Sequence, residues 1–343
     1  MKALVYEGNH RLTIQEKEIP TIGKDEVLIR VSYTGICGTD IHIWHGGYGR
    51  LVPPITIGHE FSGVIEKIGN SESPFQVGDR VTVEPIYGCG KCEVCQNGDY
   101  NLCKEFNLIG VDADGSMAEY IKVPEDKVFR IKSTMGSKDA AFVEPLAVGV
   151  HAVKKSGLKA KQNALIIGGG PIGLITAYVA RLQGANVYIS EINNFRKQKA
   201  EELGFSVIDP QQEDIKNKIE LVTNGFGVDV SFEVTGTNPG LNDTLLLTST
   251  KGTVVIIGLP NKLFTIDTYT VIAKELNIVG SRVYTKGDFE RAIHLIETGQ
   301  FKTSDLISHV TSLDDAIEEG FKRIDQGDDV MKVMIQIGEG GEC

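Results

Sequence analysis

Over the first 150 residues the apolar positions come in short runs, VLIRVSY (27–33), FSGVIEKIG (61–69), RVTVEP (80–85) and MAEYIKVP (117–124), punctuated by Gly and Pro. Runs of this length between turn residues predict an irregular all-β unit. From residue 163 the period changes. Strand-like ALIIGG, NVYIS, FSVIDP, VDVSFEVTG and TVVIIGL alternate with helix-like GLITAYVARLQGA, RKQKAEELG, IKNKIELVTN and NDTLLLTST. That alternation predicts a parallel, doubly wound sheet and an α/β fold class. After residue 285 two amphipathic stretches, FERAIHLIETG and LDDAIEEGFKRI, lead to a strand-like KVMIQIG that is expected to rejoin the first domain. The expected organisation is therefore a β-rich domain of residues 1–150 and 286–343 with an α/β domain of 151–285 inserted. Linkers are expected near Gly149–Gly157 and Gly280–Gly287, and the Gly-rich end GEGGEC is expected to fray.

Charge and composition narrow the partners. With 35 Lys and Arg against 46 Asp and Glu, the chain carries a formal charge of -11, which disfavours a phosphate backbone, so no nucleic acid is expected. Residues 163–180, NALIIGGGPIGLITAYVA, carry no charge, but Gly168, Gly169, Gly170 and Pro171 interrupt them at the middle. The run predicts strand, turn and helix, and no membrane partner is expected. No apolar h-region follows Lys2, and six cysteines in 343 residues are too sparse for a disulfide scaffold, so a cytoplasmic location is expected.

Four of those cysteines crowd into CGKCEVCQNGDYNLC, where Cys89, Cys92, Cys95 and Cys103 read C-x2-C-x2-C-x7-C. Short Gly-containing loops let four thiolates converge tetrahedrally, which predicts a structural zinc. An iron-sulfur cluster shares the spacing of the first three cysteines, but its fourth cysteine comes sooner and precedes a proline. A second motif is GGGPIG, with Gly168, Gly170 and Gly173 in G-x-G-x-x-G register and Ile172 inside the turn. It follows a strand, opens a helix, and is answered by Glu191 at the end of the next strand, the context of a dinucleotide site. A carboxylate there accepts ribose hydroxyls and repels the extra phosphate of NADP, so NAD is the expected cofactor. Arg196, five residues on, could serve a phosphate or stack on adenine.

Cys37, His42, His59, Glu60 and Glu144 each admit an ordinary packing or surface reading when taken singly. Together, GICGTDIH, GHEFSGVIEKIG, VGDRVTVEP, the four-cysteine lobe, VEPLAVGVHAV and IIGGGPIG stand in the order and spacing of the zinc-dependent medium-chain dehydrogenases. The chain resembles that family over essentially its whole length. The resemblance implies a β-rich GroES-like catalytic domain joined to a Rossmann domain, two zincs per chain and NAD. It implies that Cys37, His59 and Glu60 hold a catalytic zinc lying between the domains, with Glu144 bound directly or through the zinc water. Thr39 and His42 would form the proton relay, with Asp40 orienting the loop or simply forming a turn. The cysteine lobe would be a staple remote from the chemistry. A homotetramer is the implied assembly, favoured over a dimer. The glutamate pattern, with VEP at both 83–85 and 143–145, resembles the polyol and diol branch: sorbitol, galactitol phosphate and butanediol dehydrogenases. The expected reaction is hydride transfer from a secondary alcohol of a polyol, vicinal diol or sugar alcohol to NAD, forming a ketone. CGTDIHI is also similar to threonine dehydrogenase, so L-threonine is the alternative substrate. Ile43 stands where sorbitol dehydrogenases commonly carry a tyrosine, which weakens sorbitol itself. Trp44, Tyr48, Phe106, Arg282 and Tyr284 are candidate pocket residues by position.

Overall fold

The computed structural model describes residues 1–47, 49–260 and 262–338; Tyr48 and the end of the chain from residue 339 lie outside the described residues. Two compact units emerge, Met1–Glu144 with Thr285–Cys343, and Pro145–Tyr284.

The first unit is built on a mixed seven-stranded sheet. Its path runs Val128–Arg130, Arg80–Val83, Glu60–Ile68, Glu26–Gly35, Lys332–Gln336, Ile307–Ser312, and Tyr120–Pro124 also pairs with Glu26–Gly35. Period-two positions of the central strand, Val27, Ile29 and Val31, join Phe61, Ile65, Val81, Val83, Ile121 and Val123 in one buried cluster. Each such side chain contributes roughly 1.5–3 kcal/mol on burial. The C-terminal strand Lys332–Gln336 pairs antiparallel with Tyr33–Gly35, and Ile307–Ser312 runs parallel to it. Of the two late amphipathic stretches, the first forms the helix Lys286–Glu297, whereas the second is wound wider, as a π-helix over Ala316–Lys322.

The second unit holds a six-stranded sheet, all parallel. Its order is Ser206–Ile208, Asn186–Ser190, Asn163–Ile167, Val228–Glu233, Thr248–Ile256, Asn277–Gly280. Strand order reverses between Asn163–Ile167 and Val228–Glu233, the place where such sheets open a crevice for a ligand. Helix starts are capped from the sequence: Asn193 accepts from Arg196 N, Asp214 from Lys216 N and Asn217 N, Thr237 from Gly240 N, and Asp267 from Tyr269 N.

Three local departures from the pattern have physical causes. The helix read through TST stops at Leu247, and β-branched Thr248 and Thr250 enter the strand Thr248–Ile256. A short helix, Thr268–Lys274, and a sixth strand, Asn277–Gly280, were too brief and too exposed to show a periodicity. Gly149 belongs to a continuous helix, Val143–Ser156, where it replaces flexibility with close approach, since a Cβ on it would strike Ile175. Among the described residues no helix is long and apolar enough to cross a membrane.

Candidate metal centre and cofactor turn

The strand Glu26–Gly35 and its antiparallel neighbour Glu60–Ile68 pair Gly35 with Glu60. Continuing two residues past Gly35 gives Cys37, and stepping one back from Glu60 gives His59. Sheet register alone thus brings the three ligand groups to one point, and their donor atoms all lie within 4.8 Å of one another. Gly58, at φ +99°, makes the turn that delivers His59, and its backbone is pressed against Ser116 and Met117. Gly35 has no room for a side chain, because Glu60 Oε2 occupies the Cβ position.

Cys37 caps the helix Gly38–Trp44, and Asp40 Oδ2 accepts the Cys37 N–H at 2.8 Å. The other Asp40 oxygen sits 3.8 Å from His59 Nδ1, and Asp40 is fully buried. Asp40 therefore holds the loop on one side and faces the cluster on the other. Thr39 and His42, half-buried, lie three apart on this helix and so share a face. Ile43 is buried in the core.

Electrostatics at this point are dominated by anions. Burial raises the Asp40 carboxyl above the ordinary range. Burial opposes charge on His59, yet the facing Cys37 and Asp40 groups, aided by Glu144, outweigh it and push its pKa well above the usual histidine value. Asp40 Oδ1 and His59 Nδ1 are buried without a hydrogen-bond partner. A set of convergent nitrogen, sulfur and oxygen groups with orphaned buried atoms at its edge fits a divalent cation of the kind zinc is. Glu144, buried in the first turn of Val143–Ser156, acts on this cluster through its field and is not one of the three groups that converge within 4.8 Å.

Sequence reasoning overlooked Lys332. It is buried 4% exposed beside the cluster, forms an ion pair with Glu60 Oε2, and donates to the Ile36 carbonyl at 2.9 Å. Burial alone would lower its pKa, but Glu60, Cys37 and Glu144 more than offset that and raise it. Removing one partner of such a pair leaves a buried charge uncompensated, at a cost of about 3–5 kcal/mol. No local motif signals Lys332, which reaches the site from the last strand.

Cys89, Cys92, Cys95 and Cys103 also converge within 4.8 Å, and none of the four is in a disulfide. N–H groups of Cys89 and Glu105 point at Cys103 Sγ at 3.4 and 3.3 Å. Backbone N–H groups of Lys91 and Cys92 pull the Cys89 thiol down to about 6, whereas burial and the neighbouring thiols push Cys95 up to about 12. Gly88 allows the approach, since a Cβ there would meet Cys95 Sγ at 2.6 Å. The two VEP motifs differ in use. Glu84 is fully buried, takes the Tyr100 hydroxyl of the lobe and Lys127 Nζ, and so ties the lobe to the sheet, whereas Glu144 lies by the metal cluster.

In the second unit Gly168, at φ +107°, ends the first strand and Gly173 packs against its carbonyl so closely that a Cβ is excluded. Gly170 caps the helix Pro171–Leu182, whose free N–H groups suit a pyrophosphate; Ile172 is half-buried in its first turn. Glu191 spans the turn: Oε2 accepts Gly169 N at 2.7 Å, and Oε1 accepts Ile192 N and Asn193 N at 2.7 and 2.8 Å. The position of a Cβ on Gly170 lies 3.7 Å from Arg196 Nη1. Glu233, also missed in the sequence, is buried at the end of the adjoining strand and accepts Thr235 N and Gly236 N on Oε1.

The candidate pocket residues are mostly engaged elsewhere. Trp44 donates its indole N–H to the His10 carbonyl at 2.8 Å and packs edge-on to Phe321; Phe106 is buried under the Arg50 guanidinium; Tyr284 is fully buried. Arg282 is exposed.

Comparison with known proteins agrees with this chemistry. Residues 23–133 match the alcohol dehydrogenase GroES-like domain, and residues 171–298 match the zinc-binding dehydrogenase family. The chain is 36% identical to 2-dehydro-3-deoxy-L-galactonate 5-dehydrogenase of Pseudoalteromonas atlantica, covering 98% of each. It is 39% identical to sorbitol dehydrogenase of Halalkalibacterium halodurans, over 90% of this chain and 92% of that one. The crystal structure of 2R,3R-butanediol dehydrogenase from Bacillus subtilis superposes with a TM-score of 0.91 at 34% identity, covering 98% of this chain and 99% of that one.

Proposed function

The chain belongs to the zinc-containing medium-chain alcohol dehydrogenase family, and on that premise we propose that it oxidises a secondary alcohol of a polyol, vicinal diol or sugar alcohol to the ketone, with NAD as hydride acceptor. The observation that carries this reading is the convergence of Cys37, His59 and Glu60, beside a helix that presents Thr39 and His42 on one face. Zinc held by those three groups would supply Lewis acidity to the alcohol oxygen, and NAD would take the hydride. The chain's own residues do the rest. Thr39 Oγ1 would accept the hydroxyl proton as it gives up its own, and the His42 imidazole would take the relayed proton and release it to water. Glu144 keeps the surroundings of the cluster anionic; that field opposes proton loss from the alcohol, so its part is to help retain the cation. Gly168, Gly170, Ile172 and Gly173 receive the pyrophosphate, with Glu191 and Arg196 at the adenosine end. The cysteine lobe, Cys89, Cys92, Cys95 and Cys103, holds the second zinc.

The substrate class is tested by NADH absorbance with sorbitol, xylitol, galactitol phosphate, 2,3-butanediol, a 3-deoxy sugar acid and L-threonine. Turnover within the polyol, diol or sugar-alcohol set supports the reading, and turnover confined to L-threonine overturns it.

Cofactor choice rests on Glu191, whose carboxylate is fixed beside the Gly-rich turn by three backbone N–H groups. A second phosphate there meets a like charge, which costs several kcal/mol, so NAD is preferred. Glu191→Ser leaves Arg196 unopposed and is expected to raise the NADP to NAD ratio of kcat/KM by about tenfold or more. An unchanged ratio would remove Glu191 from the specificity argument.

A further inference from the structure

Glu60 is the one metal-cluster residue that already has a cation of its own. Its Oε2 is paired with Lys332, and Lys332 is fixed in turn by the Ile36 carbonyl at 2.9 Å, one residue before Cys37. Both partners are buried, at 1% and 4% exposure, so water does not screen the pair. Neither can swing away: Gly35 is a glycine because Glu60 Oε2 and Lys332 Cε fill the space of a Cβ, and Lys332 is anchored in the strand Lys332–Gln336. Among the described residues no lysine or arginine is paired with Cys37 or His59. The three ligand groups are therefore unequal, two fully available and one shared.

We propose that Lys332 is a positioning residue of the metal centre: by holding one oxygen of Glu60 it makes that carboxylate a weak, displaceable ligand, so that a coordination position can be given up to the alcohol. The proposal rests on the reading of Cys37, His59 and Glu60 as the metal site. Its physical basis is competition. An ammonium on Oε2 competes for that oxygen's lone pairs and lowers the negative charge the carboxylate can offer the metal. Without the ammonium, Glu60 is a buried charge with no partner but the metal, and metal binding then relieves that penalty. Lys332 thus weakens metal affinity in order to keep the coordination open.

The test is a double-mutant cycle on the zinc-loaded, full-length protein. Zinc dissociation is followed with a chromogenic chelator, and the cysteine-lobe zinc, retained in every variant, reports that the fold is intact. Lys332→Met is expected to bind the second zinc about tenfold more tightly or better, with kcat reduced and the KM for NAD unchanged. In a Glu60→Gln background the same substitution is expected to change zinc affinity by less than about twofold, because the effect passes through Glu60. Equal tightening in both backgrounds would show that Lys332 acts only as a nearby charge, and no tightening in either would show that it does not touch the metal; each overturns the proposal. Lys332→Arg covers the case in which methionine disrupts the core. Its guanidinium can take both Glu60 oxygens, so zinc is expected to loosen by about threefold or more; unchanged affinity overturns the proposal. A wild-type protein that binds a single zinc per chain overturns the metal reading itself, an outcome separate from these.

Discussion

His59→Ala is expected to lower kcat for alcohol oxidation by about a thousandfold or more, because the Lewis acid supplies several kcal/mol of transition-state stabilisation and each 1.36 kcal/mol is tenfold in rate. His59 is the nitrogen ligand of a cluster whose other two groups come from the same pair of strands, Cys37 past the end of one and Glu60 at the start of the other. Removing the imidazole leaves Cys37 and Glu60 with Lys332 as the remaining counter-charge, a set that is short of one ligand for zinc. The loss should be confined to chemistry. The Gly168–Gly173 turn belongs to the other unit, Pro145–Tyr284, so NADH binding measured by fluorescence titration should stay within about threefold of wild type. Zinc content should fall by one per chain. Activity within tenfold of wild type, with that zinc lost, would remove the metal from the mechanism.

The second large effect is on stability. Cys95→Ser is expected to release the lobe zinc and to lower Tm by about 10 °C or more, since structural zinc contributes folding energy outright and several kcal/mol translates into such a shift for a chain of this size. The lobe has almost no apolar core to replace the metal. Its helix, Glu93–Gln96, buries nothing, and the following turn, Tyr100–Leu102, buries only Asn101. Cohesion must come from the four sulfurs and from the Tyr100 tether to Glu84 and Lys127. Differential scanning calorimetry with parallel zinc analysis decides the matter. A protein that loses this zinc and keeps its Tm would show the lobe to be self-supporting.

Much of this molecule was legible in the sequence where the determinants are local. The alternating runs from residue 163 specify strand and helix in turn, because burying one face of each element at that spacing leaves little choice but a parallel sheet covered by helices. The Gly168–Gly173 turn could be read because only glycine tolerates φ +107° at Gly168 or the contact between Gly173 and the Gly168 carbonyl. The cysteine lobe is similarly local, with all its sulfurs inside fifteen residues. Gly149 was misleading for the same reason: a glycine marks either freedom or crowding, and only its neighbour Ile175 distinguishes the two.

Sequence by itself, then, determined most of the elements, the parallel sheet, the four-cysteine lobe and the acidic residue at the cofactor turn, since each depends on residues close in the chain, whereas Cys37, His59 and Glu60 meet only through the pairing of two strands. Tertiary structure alone decided what surrounds them. It placed Lys332 on Glu60 across a separation that no spacing rule spans, set Glu144 in the field of the cluster and outside its tightest circle, and gave the two VEP motifs different work. The physical reason is that ligand identity is a property of side chains, whereas ligand strength depends on which charges and hydrogen-bond donors the folded chain packs against them.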